Sequence, residues 1–409
     1  MKAEIIAIGS ELTCGARTDT NSVWLSQELE ACGWIVQRHT TVADDQAAMV
    51  KIFQDAATRS RIVLVTGGLG PTLDDITRDT LAEAFQQPLV QDDDALQHIE
   101  KLFRSRHREM PERNKVQALR PEKASMISNA HGTAPGILMH LSDPACTIAV
   151  MPGVPAEMKL MFRDEVRPQL PFSDVFVKRS LIRSFGMGES AVERRLKGLT
   201  ARGRNPEVGI TASEAVISLS ITARAGSAEE CDVMTKAIRD QVYECLGSSI
   251  FGEADAQLHE VVTEQLADKN QRIALIEGAT TGGILSQWMS ESEATQDRLS
   301  SSILFASEAA LLAAHSSSHT SWRDFCVEQA EALLQSGTVD YVLISSPSQN
   351  HVDEQGVASK LGQVIFVAAG VEVERDVSMA GNLAIFRHRA SRTALNLLRL
   401  HLLGETPHS

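Results

Sequence analysis

Aromatic side chains make up only 4% of the 409 residues, and the formal net charge is −14. So few stacking platforms argue against single-strand recognition, and the negative balance argues against a broad nucleic-acid surface. The six cysteines, at 14, 32, 146, 231, 245 and 326, contain no C-x-x-C pair. That spacing excludes a cysteine zinc knuckle and offers no disulfide framework. The twelve histidines show no metal-ligand spacing either. No run of about 18 apolar residues occurs, so no helix is expected to cross a membrane. The opening MKAEIIAIGSEL meets charge too soon for a secretory leader. The expectation is a cytoplasmic protein with reduced thiols, no membrane and no nucleic acid among its partners.

Hydrophobic residues at 43% and charged residues at 22% are ordinary globular values. The length allows two or three domains, each with its own core. Early in the chain, strand and helix patterns alternate. Glu4–Ile8 reads as a short strand, followed by a loop through Gly9, Glu11 and Gly15. Asp19, Thr20 and Asn21 offer helix N-caps ahead of Leu25, Leu29 and Cys32, and Gly33 closes that helix. Strand pieces at Trp34–Val36 and Thr40–Val42 come next, then a helix capped by Asp44 or Asp45 and carrying Met49, Val50, Phe53 and Ala57. This order predicts an α/β, doubly wound parallel sheet, whose ligands sit at the carboxyl ends of the strands.

The sharpest feature follows the apolar strand Ile62–Val65. Gly67, Gly68 and Gly70 precede Pro71, Thr72, Asp74 and Asp75, and a helix is expected from about Thr72. Glycines permit positive φ and bring bare N–H groups against an anion, which a helix N-terminus also favours. Asp74 and Asp75 in a first helical turn would repel a phosphate unless a divalent cation lay between, so the motif points to metal-assisted chemistry on a phosphorylated ligand. Thr72-x-x-Asp75 also fits a capping box with no chemical task. Glu11, Asp44 and the glycine turn all fall just past predicted strand ends.

Downstream, residues 92–125 are polar with a helical pattern and a basic stretch at Arg104, Arg106, His107 and Arg108. Strands at Ile137–Leu141 and Thr147–Met151 and a helix over Glu157–Val166 are expected next. Val216–Thr222 alternates as a half-buried antiparallel strand ahead of a helix at about 227–245. The acidic stretch near 252–257 reads as a linker to a third region. The boundaries drawn are 1–170, 171–250 (a small α+β module) and 255–409.

Eight segments in order resemble the CinA family. Four of them, Ile8–Leu12, Asp19-x-Asn21, Val42–Asp44 and Gly67–Thr77, are similar to the molybdopterin-binding domain of molybdenum-cofactor biosynthesis proteins. Arg113–Ala118, Gly132–Gly136, Met151–Met158 and Phe185–Ser190 are more particular to CinA. The resemblance implies metal-dependent cleavage of ADP-ribose to AMP and ribose 5-phosphate, with a divalent cation of the Mg²⁺ or Co²⁺ type and a homodimeric assembly. It places Gly67, Gly68, Gly70 and Thr72 at the phosphate cradle, and Asp75 and Asp44 at the family's active-site acids. Glu11 takes a first-loop acid position. Lys115 is a candidate phosphate partner, and Gly132 and Thr133 lie in a loop brought close to the nucleotide. A hard cation suits such acids, with Glu11, Asp74 and Asp75 as the expected metal set, but sequence does not divide base from ligand among Glu11, Asp44, Asp74 and Asp75.

The region from 255 onward resembles the family's nicotinamide-mononucleotide deamidase domain, with three departures. Where the family reads Glu-Ser-Cys-Thr-Gly-Gly, this chain has Gly278-Ala279-Thr280-Thr281-Gly282-Gly283. Ala279 has no oxygen for an acyl-enzyme. The family's Tyr-Ser-Asn-Glu-Ala-Lys becomes Ala306-Ser307-Glu308-Ala309-Ala310-Leu311, losing its tyrosine and lysine, and Ile344–Gln349 replaces Thr-Gly-Ile-Ala-Gly-Pro. The expectation is a catalytically degenerate, structural domain. Arg389 and Arg392 keep family positions and serve either a residual nucleotide pocket or surface ion pairs. Two alternatives stand beside the hydrolase reading: a pterin- or nucleotide-binding protein without turnover, and residual deamidation through Thr280.

Overall fold

In the computed structural model, which describes residues 2–171, 174–291, 297–314, 321–352 and 356–405, the chain divides into two units. The first comprises Met1–Lys178 with Arg224–Cys231, and the second comprises Arg179–Ala223 with Asp232–Ser409.

The first unit opens with β1 (Lys2–Ile8), a single helical turn α1 (Ser10–Thr13) and α2 (Thr20–Ala31). β2 (Ile35–Val42), α3 (Gln46–Arg59), β3 (Ile62–Thr66) and α4 (Thr77–Ala84) follow. A two-stranded ribbon of β4 (Leu89–Gln91) and β5 (Leu119–Pro121) flanks α5 (Asp93–Ser105). β6 (Ala124–Ile127), β7 (Gly136–Ser142), β8 (Ala145–Met151) and α6 (Pro155–Met161) complete it. The main sheet has the order β2-β1-β3-β8-β7-β6. β2, β1, β3 and β8 are parallel, whereas β7 and β6 are antiparallel, so the expected parallel sheet is mixed at one edge.

β3 shows why its run is apolar without alternation. Ile62 and Leu64 enter a core with Ala3, Ile5, Leu25, Leu29 and Phe162, while Val63 and Val65 enter another with Ile6, Ile8, Met49 and Phe53. Helices cover both faces, as a parallel sheet requires. The register then sets the site. Ile8 pairs with Val42, Ala7 with Thr66, and Thr66 with Met151, so four parallel strands end side by side.

Three local expectations change. The second strand is one piece, Ile35–Val42, rather than two. The polar segment after residue 92 is helical only to Ser105, with a 3₁₀ turn at Glu112–Ala118. The helix expected from Thr72 begins at Thr77. The carboxylate of Asp75 turns back to accept from the Thr72 N–H at 2.8 Å and from its hydroxyl, closing a non-helical loop over 72–75. Asp74 and Asp75 therefore stand in that loop, not in a first helical turn.

The second unit contains the four-stranded order β10-β11-β9-β12. These are β9 (Phe176–Ser184), β10 (Glu207–Ser213), β11 (Val216–Ala225) and β12 (Ile250–Glu253), with α7 (Glu189–Arg195) and α8 (Ala228–Leu246). The acidic stretch expected as a linker begins inside β12. Next come α9 (Leu258–Asp268), β13 (Ile273–Glu277), α10 (Ile284–Ser290), β14 (Leu299–Leu304), α11 (Glu308–Ala314) and α12 (Trp322–Gln335). β15 (Tyr341–Ser345), β16 (Gln349–Val352), β17 (Ala358–Ala368), β18 (Val371–Ala380) and α13 (Leu383–Leu402) finish the α/β C-terminal region. Arg399, buried on α13, donates to the carbonyls of Ile250 at 3.1 Å and of Ser248, fastening that helix to the end of the small module. Burial lowers its pKa to about 10. Among the described residues no helix is long and apolar enough to cross a membrane.

Candidate active site

The loops that follow β1, β2, β3 and β8 meet in one cleft of about 500 Å³. Its lining includes Gly9, Glu11, Arg17 and Asp44, the turn Gly67–Pro71 with Asp74 and Asp75, and Thr133 and Glu157. The convergence follows from the register: four strand ends at one level deliver four loops to one crevice.

The glycine turn is held from below. The Thr77 hydroxyl donates to the Gly67 carbonyl at 3.0 Å, and the Thr77 N–H donates to the Gly68 carbonyl at 3.2 Å. Arg78 donates to the Leu69 carbonyl at 2.6 Å, and Gln117 reaches the same oxygen at 3.4 Å. In a trans peptide the N–H points opposite to the preceding C=O. With three consecutive carbonyls drawn toward α4, the N–H groups of Gly68, Leu69 and Gly70 face the other way. Among the described residues none of the three donates to a protein acceptor. Gly67 (φ +106°) and Gly68 (φ +65°) take backbone conformations that a side chain resists, and a Cβ at Gly67 would lie 3.2 Å from the Ile8 carbonyl carbon and nearer still to its oxygen. The result is a nest of bare donors.

The acids are individually oriented. Asp44 Oδ2 accepts from the Ser10 N–H at 2.9 Å and from its hydroxyl at 2.8 Å. Asp45, not Asp44, caps α3, through the Ala48 N–H at 2.8 Å, which leaves Asp44 for the cleft. Hydrogen bonding from Thr72 and from its own backbone, with the charge of Arg113, holds Asp74 below the usual carboxylate range. Glu157 Oε2 accepts from Asn129 Nδ2 at 2.7 Å. Gly132 donates its N–H to Asn129 Oδ1 at 2.9 Å and packs where any side chain would collide with the Glu157 carboxylate.

Glu11, Asp44, Gly67, Gly68, Gly70, Asp74, Asp75 and Thr133 of the expected set thus line one cleft. Thr72 and Gly132 stand behind it, orienting Asp75 and accommodating Glu157. Lys115 is not brought in: its Nζ pairs with Glu112 at 2.7 Å on the 3₁₀ turn, and Gln117 reaches the cleft instead. The sequence reading passed over Glu157, Arg17 and Gln117. Glu157 and Gln117 lie within the segments Met151–Met158 and Arg113–Ala118, where the period of a short helix and of a 3₁₀ turn is the signal that marks them.

All the acids are hard oxygen donors of the kind Mg²⁺ takes. Among the described residues, however, no three of His, Cys, Asp or Glu converge closely enough to hold a metal ion. The expected set Glu11, Asp74, Asp75 is therefore not a protein-only cage. The donors fit a cation that completes its shell with ligand oxygens and water.

In the C-terminal region the positions set against the family's catalytic residues differ in burial, with Ala279 half-buried. Thr280 is 0% exposed, and its hydroxyl meets Ser346 Oγ at 3.0 Å and the Pro347 carbonyl at 3.3 Å, so it is not free to attack an amide. Arg387 donates to the Ala279 carbonyl at 3.2 Å. Leu311 is buried in the apolar core and Ala306 is exposed. Arg392 pairs with Glu214 at 3.0 Å, an ion pair rather than an open pocket, while Arg389 is exposed. The Arg392 guanidinium also holds the Glu214 carboxyl below its usual range.

Fold and cleft together define an α/β domain of the molybdopterin-binding type, joined to a small α+β module and a C-terminal α/β region. Residues 4–171 match the family described as "Probable molybdopterin binding domain", and residues 179–252 match "Damage-inducible protein CinA KH domain". A CinA-like protein of Kosmotoga olearia is 31% identical over 414 residues, covering 98% of this chain and 99% of its own. A CinA-like protein of Dictyoglomus thermophilum is 37% identical over 287 residues, covering 70% of this chain and 69% of its own. The crystal structure of a CinA protein of unknown function from Thermoplasma acidophilum is 30% identical, with a TM-score of 0.39, covering 41% of this chain and 98% of its own. The chain belongs to the CinA family.

Proposed function

We propose that the first unit hydrolyses a nucleotide diphosphate, ADP-ribose in the first instance, to AMP and ribose 5-phosphate, and that the C-terminal region is structural. The observation that supports this is the three bare N–H groups of Gly68, Leu69 and Gly70 facing a cleft that also holds Glu11, Asp44, Asp75 and Glu157.

An anhydride oxygen accepts from the amide nest, which is already oriented and needs no rearrangement. Cleavage forms a bond from water to one phosphorus and breaks the bridging P–O bond, with the water proton passing to a carboxylate. Asp44 and Asp75 are suited to that task because their neighbours fix each through one oxygen, leaving the other carboxylate oxygen for the cleft. A divalent cation held by Glu11 or Asp74 with the ligand supplies neutralisation of phosphate charge. Homodimeric assembly and a cytoplasmic location accompany the proposal.

Purified chain incubated with ADP-ribose and Mg²⁺ or Co²⁺ is expected to release AMP. No cleavage of any nucleotide diphosphate with any divalent ion would end the hydrolase reading. The hydrogen bonds that tie Asp44 to Ser10 and Asp75 to Thr72 favour a second reading, a binding protein without turnover in which those acids are structural. Calorimetry separates them, since tight nucleotide binding that survives chelation together with no AMP release supports the binder.

A further inference from the structure

Arg78 is 2% exposed, on the first turn of α4 directly beneath the glycine turn. Its guanidinium donates to the Leu69 carbonyl at 2.6 Å and to the Gly70 carbonyl at 3.4 Å. Nε is buried with no partner. Among the described residues Arg78 forms no ion pair. Burial leaves its pKa below the ordinary arginine value, although the charges of Asp79 and Asp75 act in its favour. A buried cation without a counter-ion is costly, and folds rarely keep one without compensation. Arg399 shows that backbone carbonyls can hold a buried arginine in a structural role; Arg78 differs in that its carbonyls belong to the glycine turn lining the cleft.

Of the two carbonyls that Arg78 binds, that of Leu69 belongs to the peptide whose N–H, on Gly70, joins the nest, and that of Gly70 precedes Pro71, which has no N–H. One side chain therefore draws the Leu69 oxygen down, so that the Gly70 N–H points up into the cleft, and sets a positive charge behind it. We infer that Arg78 is a positioning residue for the diphosphate of the ligand: it fixes the Leu69 peptide so that the Gly70 N–H serves the cradle, and its buried charge, which forms no direct ion pair, adds to the attraction for the anion through the turn. This rests on the reading of the glycine turn as an anion cradle. It adds that the cradle selects for charge, so that a neutral sugar or nucleoside binds without help from Arg78.

Two substitutions separate charge from hydrogen bonding. Arg78→Gln keeps an N–H donor for the Leu69 carbonyl and removes the charge. Arg78→Lys keeps the charge and loses the planar fork. The full chain is titrated with inorganic pyrophosphate by calorimetry, and each protein's unfolding midpoint is measured with and without pyrophosphate. The wild type is expected to bind pyrophosphate, Arg78→Gln to bind at least about tenfold more weakly, equal to about 1.4 kcal/mol, and Arg78→Lys to stay within about threefold of wild type. Equal binding by wild type and Arg78→Gln overturns the inference and leaves the cradle standing. An equal loss in both variants also overturns it, since that marks a structural arginine. A wild type that binds no pyrophosphate removes the cradle reading and the inference together. If Arg78→Gln does not fold, Arg78→Lys decides alone: retained binding supports the charge role, and a tenfold loss refutes it.

Discussion

Replacing Gly70 by alanine tests whether the Asp75 carboxylate is chemical or merely closes its loop. Gly70 is not at positive φ, so alanine brings no backbone strain of the kind expected at Gly67 or Gly68. The new Cβ would lie 2.9 Å from Asp75 Cγ, closer than the 3.5–4.0 Å of ordinary carbon contact, and nearer still to Oδ2. The carboxylate must therefore move by roughly 0.6–1 Å, which breaks its bonds from the Thr72 N–H and hydroxyl. Two exposed hydrogen bonds at about 0.5–1.5 kcal/mol each place the stability loss at about 1–3 kcal/mol. A shift of about 1 Å in a reacting group costs on the order of 100-fold in turnover. Denaturant unfolding measures the first effect, and initial rates of AMP release from ADP-ribose measure the second. The expected pattern is a modest fall in stability with a fall in kcat near two orders of magnitude. Wild-type kcat with the predicted loss of stability would show that Asp75 only fastens the turn, and the reasoning would fail.

Asp44→Asn should lower turnover at least about tenfold while shifting the unfolding free energy by about 1 kcal/mol or less, because Ser10 keeps one acceptor; unchanged rates would return Asp44 to a structural role. Glu4 is buried, and its burial is outweighed by bonds from Arg59 and Ser60, so its folded pKa lies below the ordinary value. A depressed carboxylate stabilises the fold above its unfolded pKa of about 4.3, and the contribution vanishes as pH falls through the lower folded value. Glu4→Gln should accordingly cost about 1–3 kcal/mol near neutrality and flatten the acid limb of the stability curve below about pH 4.3; an unaltered acid limb would contradict this. Arg399→Met should destabilise the second unit by about 2–4 kcal/mol, since it strands the Ser248 and Ile250 carbonyls, without altering AMP release; calorimetric scans of the full chain read the difference. Thr280→Val should leave ammonia release from nicotinamide mononucleotide at background in both proteins, and a signal that disappears in the variant would show an open site.

Legibility in the sequence followed locality. The unbroken apolar run of β3 announced a strand buried on both faces, and the clustering of Glu11, Asp44 and the glycine turn after strand ends announced the cleft. What escaped depended on competition between neighbouring groups. The chain offers both Asp44 and Asp45 to cap α3, and only the folded geometry shows that Asp45 takes the cap while Asp44 turns to Ser10. Asp75 looked like the third residue of a helical capping box, yet Pro71 and the glycines let it close a tight loop, and the helix waits until Thr77. Asn21 looked like a cap, whereas Asp19 caps α2 at the Ser22 N–H and Asn21 donates to the Gly153 carbonyl at 2.9 Å. Lys115 and Gln117 sit two positions apart on a 3₁₀ turn, and its three-residue period, not charge, decides which one faces inward.

The way Thr77, Arg78 and Gln117 grip the carbonyls of the glycine turn has a further result for recognition. The half-exposed amides of Gly68 and Gly70 should exchange with deuterium as freely as those of a loose loop, although the backbone carrying them is fastened from below. Ordering entropy has already been spent during folding, so capture of an anion calls for little motion. Discrimination among ligands then falls to the surrounding walls, and exchanging Arg17, Thr133 or Glu157 should change what is accepted without loosening the grip on phosphate.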